Sequence, residues 1–112
     1  MTLFEKIIAR EIPADIVYED DDVIAFHDID PKAPTHILIV PKTPTPTLND
    51  LADPDAERIG KIVLTAAKIA KQEDIAESGY RLVFNCNADG GQSVYHIHGH
   101  LLGGRKMQWP PG

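Results

Sequence analysis

Residues 95–104 read YHIHGHLLGG, and they place three of the chain's five histidines at every second position. On a strand, alternate side chains leave the same face, so His96, His98 and His100 would stand in one row, about 7 Å apart. On a helix they would scatter around more than half of the circumference. Glycine pairs bound the run on both sides and leave no room for a helix, so the pattern predicts a strand.

Apolar patterning elsewhere predicts further short strands. Residues 23–27 alternate on β-prone types, and HILIV at 36–40 is a continuous apolar run, which is typical of a strand covered on both faces. Residues 80–85 again place large apolar side chains at every second position. The acidic residues 19–22 are interpreted as a solvated turn between two strands. Together with the histidine run, these segments predict a mostly antiparallel sheet.

Two helices complete the predicted elements. Thr2 and Glu5 match a capping box, which indicates a short helix over about residues 3–9. Asp53 as N-cap and Pro54 at the first helical position begin a second, amphipathic helix of roughly twenty residues, which a later Ser-Gly pair ends. The fold class predicted is therefore α+β, with one short and one long helix.

Size and composition indicate one ordinary globular domain over residues 1–112, because 43% of the residues are hydrophobic and 25% are charged. No apolar run approaches the length of about 18 residues that a membrane span needs, and the N-terminus lacks the features of a signal peptide. We therefore expect a cytoplasmic protein with no membrane partner. The net charge of −6 argues against a nucleic-acid partner, since no excess of basic residues can neutralise phosphates.

The row of histidines admits three interpretations. Backbone carbonyls and waters could satisfy the rings in a partly buried sheet. Imidazoles at alternate strand positions could chelate zinc, copper or nickel, although no carboxylate motif or cysteine nearby completes such a site. A neutral imidazole is also a nucleophile at pH 7, so the central His98 could attack a substrate while its neighbours fix its tautomer.

The loop before the histidines suggests what such a nucleophile would attack. Gly90 and Gly91 let backbone amides approach an anion closely, while Gln92, Ser93 and Asn85 offer neutral donors. That set suits a single phosphate group, and it favours the catalytic interpretation.

With these motifs the chain resembles a known family, the histidine triad nucleotide-binding proteins of the Hint branch of the HIT superfamily. Their signature is His-φ-His-φ-His-φ-φ, with φ apolar. The resemblance covers nearly the whole chain, through FEKIIAREIPA, FHDIDPKAPTHILIVPK and DGGQSVYHIHGHLLGGRKMQWPPG. Gly99 departs from the pattern, because the family usually has an aliphatic residue there, and we expect weaker apolar packing behind His98 and His100.

The resemblance implies a homodimer of subunits with the HIT-like fold, in which a C-terminal tail of about residues 103–112 contacts the partner subunit. It implies hydrolysis of the P–N bond of purine nucleoside 5′-phosphoramidates through a covalent nucleotidyl-histidine intermediate, without a metal or other cofactor. Two alternatives stay open. One is a non-catalytic protein that binds purine mononucleotides and recruits partners, and the other is a hydrolase of dinucleoside polyphosphates or adenylyl sulfate.

The resemblance also implies roles for the histidines. His98 would be the nucleophile, and His100 would contact the phosphate and help to stabilise its charge. His96 and His36 would hold the ring of His98 by hydrogen bonding. Ser93 would lie near the leaving group.

The nucleotide-binding residues follow from the same resemblance. The phosphate would be cradled by Asn85, Gly91, Gln92 and Ser93. Asp28 would accept hydrogen bonds from the ribose hydroxyls, as a carboxylate with two oxygens can. The base pocket would be lined by Leu3, Phe4, Ile7, Phe26 and Ile29.

Overall fold

A computed structural model describes all of residues 1–112 and is built on a five-stranded sheet. The strands are β1 (Ile16–Glu19), β2 (Val23–His27), β3 (Thr35–Pro41), β4 (Tyr80–Val83) and β5 (Gly99–Gly103). They lie in the order β1-β2-β3-β5-β4, and all four neighbouring pairs are antiparallel. The prediction of an α+β domain with an antiparallel sheet is confirmed.

The central strand β3 is covered on both faces, as its continuous apolar run predicts. Ile37 and Ile39 belong to a buried cluster that includes the long helix, whereas Leu38 and Val40 belong to a second cluster that includes the first helix. Because side chains alternate along a strand, one apolar run supplies both layers of the core.

The first helix, α1 (Leu3–Ile8), begins with the predicted capping box. The Thr2 hydroxyl accepts a hydrogen bond from the Glu5 amide at 3.2 Å, and the Glu5 carboxylate accepts one from the Thr2 amide at 3.0 Å. The cap satisfies two amides that have no partner within the helix. It thereby fixes where the apolar face of α1, with Phe4 and Ile7, meets the sheet.

The long helix, α2 (Ala56–Gln72), differs from its predicted ends. Asp53–Asp55 form a 3₁₀ turn instead of the first turn of the α-helix. The other end lies well before the Ser-Gly pair, because Asp74 adopts a φ of +59° and the Ile75 amide donates back to the Ala70 carbonyl at 3.0 Å. A left-handed residue of this kind closes a helix, and Asp tolerates that conformation better than most side chains.

The acidic turn is tied to α2 through Lys61. Its ammonium lies 3.1 Å from Asp20 Oδ2 and 2.8 Å from Asp22 Oδ2. The Asp20 carboxylate also accepts hydrogen bonds from the amides of Asp22 and Val23. The turn is therefore a solvated, ion-paired connection between β1 and β2, as expected. None of the helices combines the length and the apolar character needed to cross a bilayer.

The histidine run is only partly a strand, so the prediction of three imidazoles on one strand face is wrong. Strand β5 begins at Gly99, and of the three histidines only His100 lies in it. His96 and His98 come before it, where the Ile97 amide donates to the Thr45 carbonyl at 2.7 Å instead of joining the sheet ladder. The first part of the run is thus held by a contact with the segment at Thr45 and not by the sheet ladder that its spacing predicts.

Candidate active site

Two neighbouring cavities open beside the histidines. The first, which we call the apolar cavity, has a volume of about 270 Å³, close to the lower end of small-molecule pockets at about 300 Å³. The second, which we call the polar cavity, has a volume of about 470 Å³. Both are lined by Asp28, Ser93 and His100, so these three residues mark the place where the cavities meet.

The apolar cavity contains every residue predicted for the base pocket, namely Leu3, Phe4, Ile7, Phe26 and Ile29. One face of α1 supplies the first three, and β2 supplies Phe26. Ile29 is 98% exposed and lies at the mouth. Six further residues that no sequence pattern had indicated also line it, namely Ile12, Pro13, Ala14, His27, Leu38 and Val94. An apolar cavity with this volume and lining suits an aromatic ring such as a purine.

His98 lines the apolar cavity, and one of its ring nitrogens is unprotonated. Its Nδ1 lies 2.8 Å from the His96 carbonyl oxygen, which can only accept, so Nδ1 carries the proton. The lone pair is therefore on Nε2. Phe4 packs edge-on against the ring, with centroids 4.8 Å apart. A backbone contact thus assigns the tautomer of His98, and an aromatic side chain packs against its ring.

Two hydrogen bonds in series, from Lys32 to His36 and from His36 to His100, assign the tautomers of both rings. The Lys32 amide donates to His36 Nδ1 at 3.0 Å, so the proton of His36 is on Nε2. That Nε2 lies 3.0 Å from His100 Nδ1 and donates to it, which leaves the proton of His100 on its own Nε2. His100 therefore offers an N–H donor to any group bound beside it, although its ring is neutral.

The structure corrects the roles expected for His36 and His96. His36 contacts the ring of His100 and not that of His98. The side chain of His96 is fully buried and donates from Nε2 to the Pro41 carbonyl at 2.7 Å, so its ring also does not hold His98. The backbone carbonyl of His96 does so instead. Side-chain spacing could not reveal this, because the contact belongs to the main chain.

The loop after β4 supplies only part of the predicted phosphate cradle. The Gln92 side chain is buried, accepts from the Asn87 amide at 2.9 Å and donates to the Pro46 carbonyl at 2.7 Å. The Gly91 amide donates to the Ala88 carbonyl at 3.0 Å and caps the short helix α3 (Asn87–Gly90), a segment expected to be a loop. Gly91 and Gln92 line neither cavity, whereas Asn85 and Ser93 line the polar cavity.

Asp28 links the cavities to the histidine pair. Its Oδ1 accepts from the Asp30 amide at 2.8 Å, and its Oδ2 lies 3.4 Å from His36 Nε2. The turn made by the first contact fixes the carboxylate at the wall of both cavities. A fixed carboxylate in that place can accept two hydroxyl hydrogen bonds, which is the capacity that the ribose-binding role implied by the resemblance requires.

Burial keeps the four histidines of the site neutral near pH 7. It lowers the pKa of His36, His96 and His98, and it lowers the pKa of His100 to about 4, with help from the neighbouring His98 and His36. Desolvation disfavours the charged form of a base. The lone pair of His98 is therefore available at neutral pH without a further base.

These lowered pKa values predict that the protein loses stability on acidification. The histidines of the unfolded chain titrate near 6.5, so below about pH 7 the unfolded chain binds more protons than the folded chain. The free energy of unfolding therefore decreases as the pH is lowered. His100→Gln removes one such group. In urea unfolding between pH 7 and pH 5, we expect the wild type to lose roughly 1 kcal/mol more than this variant, after allowance for the partly exposed ring. Equal losses would contradict the pKa assignment.

Asp28, His36 and His100 are also a candidate set of metal ligands, since one atom from each lies within 4.8 Å of the others. The hydrogen bonding does not fit a metal, however. A cation among these atoms would need the lone pair of His36 Nε2, and that nitrogen carries the proton because Nδ1 accepts from the Lys32 amide. Moving the proton to Nδ1 would set two N–H groups against each other.

Comparison with known proteins identifies the family. The family description "HIT domain" matches residues 9–107. The chain belongs to the HIT family. A relative named purine nucleoside phosphoramidase, from Escherichia coli (strain K12), is 60% identical over 106 residues, which cover 95% of this chain and 89% of that protein. A 14 kDa zinc-binding protein from Zea mays is 54% identical over 114 residues, which cover 99% and 88%.

Solved structures of HIT proteins share the fold. The crystal structure of a HIT family hydrolase from Legionella pneumophila Philadelphia 1 matches with a TM-score of 0.98 and 56% identity, over 100% of both chains. A histidine triad protein from Clostridium difficile matches with a TM-score of 0.91 and 44% identity, over 95% of this chain and 92% of that one. The HIT-like fold predicted from the sequence motifs is confirmed.

Proposed function

We propose that this HIT protein is a hydrolase that cleaves the P–N bond of purine nucleoside 5′-phosphoramidates, through a nucleotide bound covalently to His98. The observation that carries the proposal is the unprotonated Nε2 of His98. The His96 carbonyl assigns this tautomer, and the His98 side chain lines an apolar cavity of suitable size. The 60% identity to a phosphoramidase over most of the chain supports the same reaction.

In this proposal the nucleotide spans the apolar cavity and the junction with the polar cavity. The purine packs among the apolar residues of α1 and β2, and Asp28 accepts from the ribose hydroxyls. The phosphate lies at the junction, where Ser93 and Asn85 offer neutral donors and His100 Nε2 donates to a non-bridging oxygen. Donors that are already oriented before the reaction stabilise charge as it develops on the phosphate.

The first step is an in-line displacement at phosphorus. The lone pair of His98 Nε2 forms a bond to phosphorus as the bond to the amine nitrogen breaks, and the electron pair of the broken bond stays on that nitrogen. The nitrogen leaves as an amine after taking one proton from water, relayed by the Ser93 hydroxyl. The His98 ring, which keeps its Nδ1 proton and is now bonded to phosphorus through Nε2, is cationic. Its imidazole is therefore a good leaving group for the second step.

The second step returns the enzyme to its starting state. Water attacks phosphorus from the side that the amine has left and gives up one proton to solvent. The P–N bond to His98 breaks, and its electron pair returns to Nε2. The products of the full cycle are a nucleoside monophosphate and an amine, and one water is consumed.

The proposal includes a homodimer. Strand β4 is an edge of the sheet, and the neighbouring helix α2 exposes Val63 and Leu64. Near the same edge Trp109 is 81% exposed, with the Arg81 guanidinium 5.8 Å from its ring centroid. An unpaired edge beside exposed apolar residues suits contact with a second copy, whose tail would then reach the first subunit. In analytical ultracentrifugation at micromolar protein concentrations, a measured mass of 12.3 kDa, that of one chain, would contradict the dimer.

The experiment that tests the function follows both product and intermediate. Purified protein is mixed with adenosine 5′-phosphoramidate, AMP is measured over time, and samples quenched in alkali are analysed by mass spectrometry. We expect turnover and a transient adduct of one AMP on the peptide that contains His98. Turnover without an adduct in rapid-quench samples would contradict the covalent route, and the absence of turnover would contradict the function.

A further inference from the structure

The peptide unit between His96 and Ile97 makes a hydrogen bond at each of its ends. Its carbonyl accepts from His98 Nδ1 at 2.8 Å, and its amide donates to the Thr45 carbonyl at 2.7 Å. A trans peptide unit is planar, so the direction of its N–H group fixes the direction of its carbonyl. The Thr45 carbonyl therefore orients the acceptor that assigns the tautomer of His98.

Thr45 lies in a proline-rich segment, residues 41–47, which begins at the last residue of β3. The carbonyl of Pro41, at the start of the segment, accepts from His96 Nε2 at 2.7 Å. Proline fixes its own φ and confines the residue before it to extended conformations, which applies to Thr45 before Pro46. The segment is thus a stiff support for the residues that precede β5.

Arg58, in the first turn of α2, binds the side chain of Thr45. Its Nη2 donates to Thr45 Oγ1 at 2.6 Å and to Asp55 Oδ1 at 3.0 Å. The other carboxylate oxygen of Asp55 accepts from the Ala52 amide at 2.9 Å, so the ion pair has a fixed partner. The Arg58 side chain is 26% exposed and its Nη1 is buried, so the guanidinium lies between α2 and the proline-rich segment.

We propose that Arg58 is a positioning residue for the nucleophile, an inference that rests on the proposed function. Arg58 and Thr45 line neither cavity, so Arg58 acts through the main chain and not on the substrate. It restrains Thr45, whose carbonyl holds the peptide that keeps the proton of His98 on Nδ1. A hydrogen bond from a charged donor is stronger than one between neutral groups, so this restraint is firmer than a neutral side chain would provide.

The test measures the tautomer of His98 and the rate of adduct formation in the same proteins. Nitrogen-15 NMR at pH 8, with labelled histidine, distinguishes protonated from unprotonated ring nitrogens without any substrate. The signals of His98 are those that a His98→Asn variant lacks.

Arg58→Met removes the guanidinium and keeps most of the apolar stem. We expect His98 to lose its single tautomer, and adduct formation from adenosine 5′-phosphoramidate to slow about tenfold, because the nucleophile is less well aligned. The dissociation constant for AMP should change less than about twofold, since no contact with the nucleotide is removed.

Thr45→Val is the second variant, because valine matches threonine in shape and lacks only the acceptor for Arg58. It should slow adduct formation about threefold to tenfold. The double variant Thr45→Val with Arg58→Met should be no slower than Arg58→Met alone, because both substitutions remove the same contact.

Lys61→Met is the matched control. Lys61 lies on the same helix, and its ion pairs are with Asp20 and Asp22 and not with Thr45. This variant should lose stability in urea unfolding but keep the wild-type tautomer of His98 and the wild-type rate.

Three outcomes would overturn the inference. They are a single His98 tautomer in folded Arg58→Met and Thr45→Val, a slower rate in these variants without a change of tautomer, and an equal slowing in Lys61→Met. Wild-type protein that forms no adduct and releases no AMP would overturn the proposed function instead, and the NMR measurement would still test the role of Arg58.

Discussion

His98→Asn is expected to lower kcat for adenosine 5′-phosphoramidate by at least about a thousandfold, because the covalent step loses its nucleophile. Asparagine is close to histidine in size and can still donate to the His96 carbonyl, which now accepts from His98 Nδ1. The variant should therefore keep its fold and bind AMP with nearly wild-type affinity. Stopped-flow turnover and calorimetric titration with AMP measure the two quantities separately.

A second substitution distinguishes the nucleophile from the donor beside it. His100→Gln retains an N–H group that can contact the phosphate, so we expect kcat to fall only about tenfold to a hundredfold, with the AMP adduct still formed. A His98→Asn variant that kept more than about a tenth of the wild-type activity would refute the covalent mechanism. If AMP binding and a biological readout both survived in a fully inactive variant, the alternative of a nucleotide-binding interaction protein would gain support.

The sequence predicts the parts of the site that depend on local pattern. Leu3, Phe4 and Ile7 share one face of a short capped helix, and that spacing is enough to place them together on the sheet. The continuous apolar run of β3 is likewise enough to predict two core layers. These features are set by residue periodicity, which is visible in a single chain.

Contacts made by the backbone could not be predicted in this way, whether they are local or join distant segments. The tautomer of His98 depends on a backbone carbonyl, and that of His36 depends on the Lys32 amide, which is part of a turn. Strand β5 begins only at Gly99 because the preceding residues bond to the loop at Thr45, more than fifty residues earlier. A regular alternation of histidines carries no information about such a competing partner.

The packing around Gly99 also could not be predicted from the sequence, because it depends on side chains from other elements. We expected weak packing behind His98 and His100. A Cβ atom at Gly99 would instead lie 2.9 Å from Leu82 Cδ1, 3.2 Å from Phe84 Cζ and 3.3 Å from Ile62 Cγ2. Side chains from β4, α2 and the segment after β4 thus already fill the space that an aliphatic residue would take.

Gly99→Ile is therefore expected to destabilise the protein, by about 2–3 kcal/mol in the free energy of unfolding, through overpacking of this filled space. Phe84→Ala alone should cost about 2 kcal/mol, since it removes a partly buried ring and leaves a gap. In the double variant the isoleucine side chain can occupy the gap left by Phe84. Urea unfolding should then show a loss smaller than the sum of the single losses by at least about 1 kcal/mol. Strict additivity would mean that Phe84 does not fill the space beside Gly99, and the packing described here behind the histidines would be incorrect.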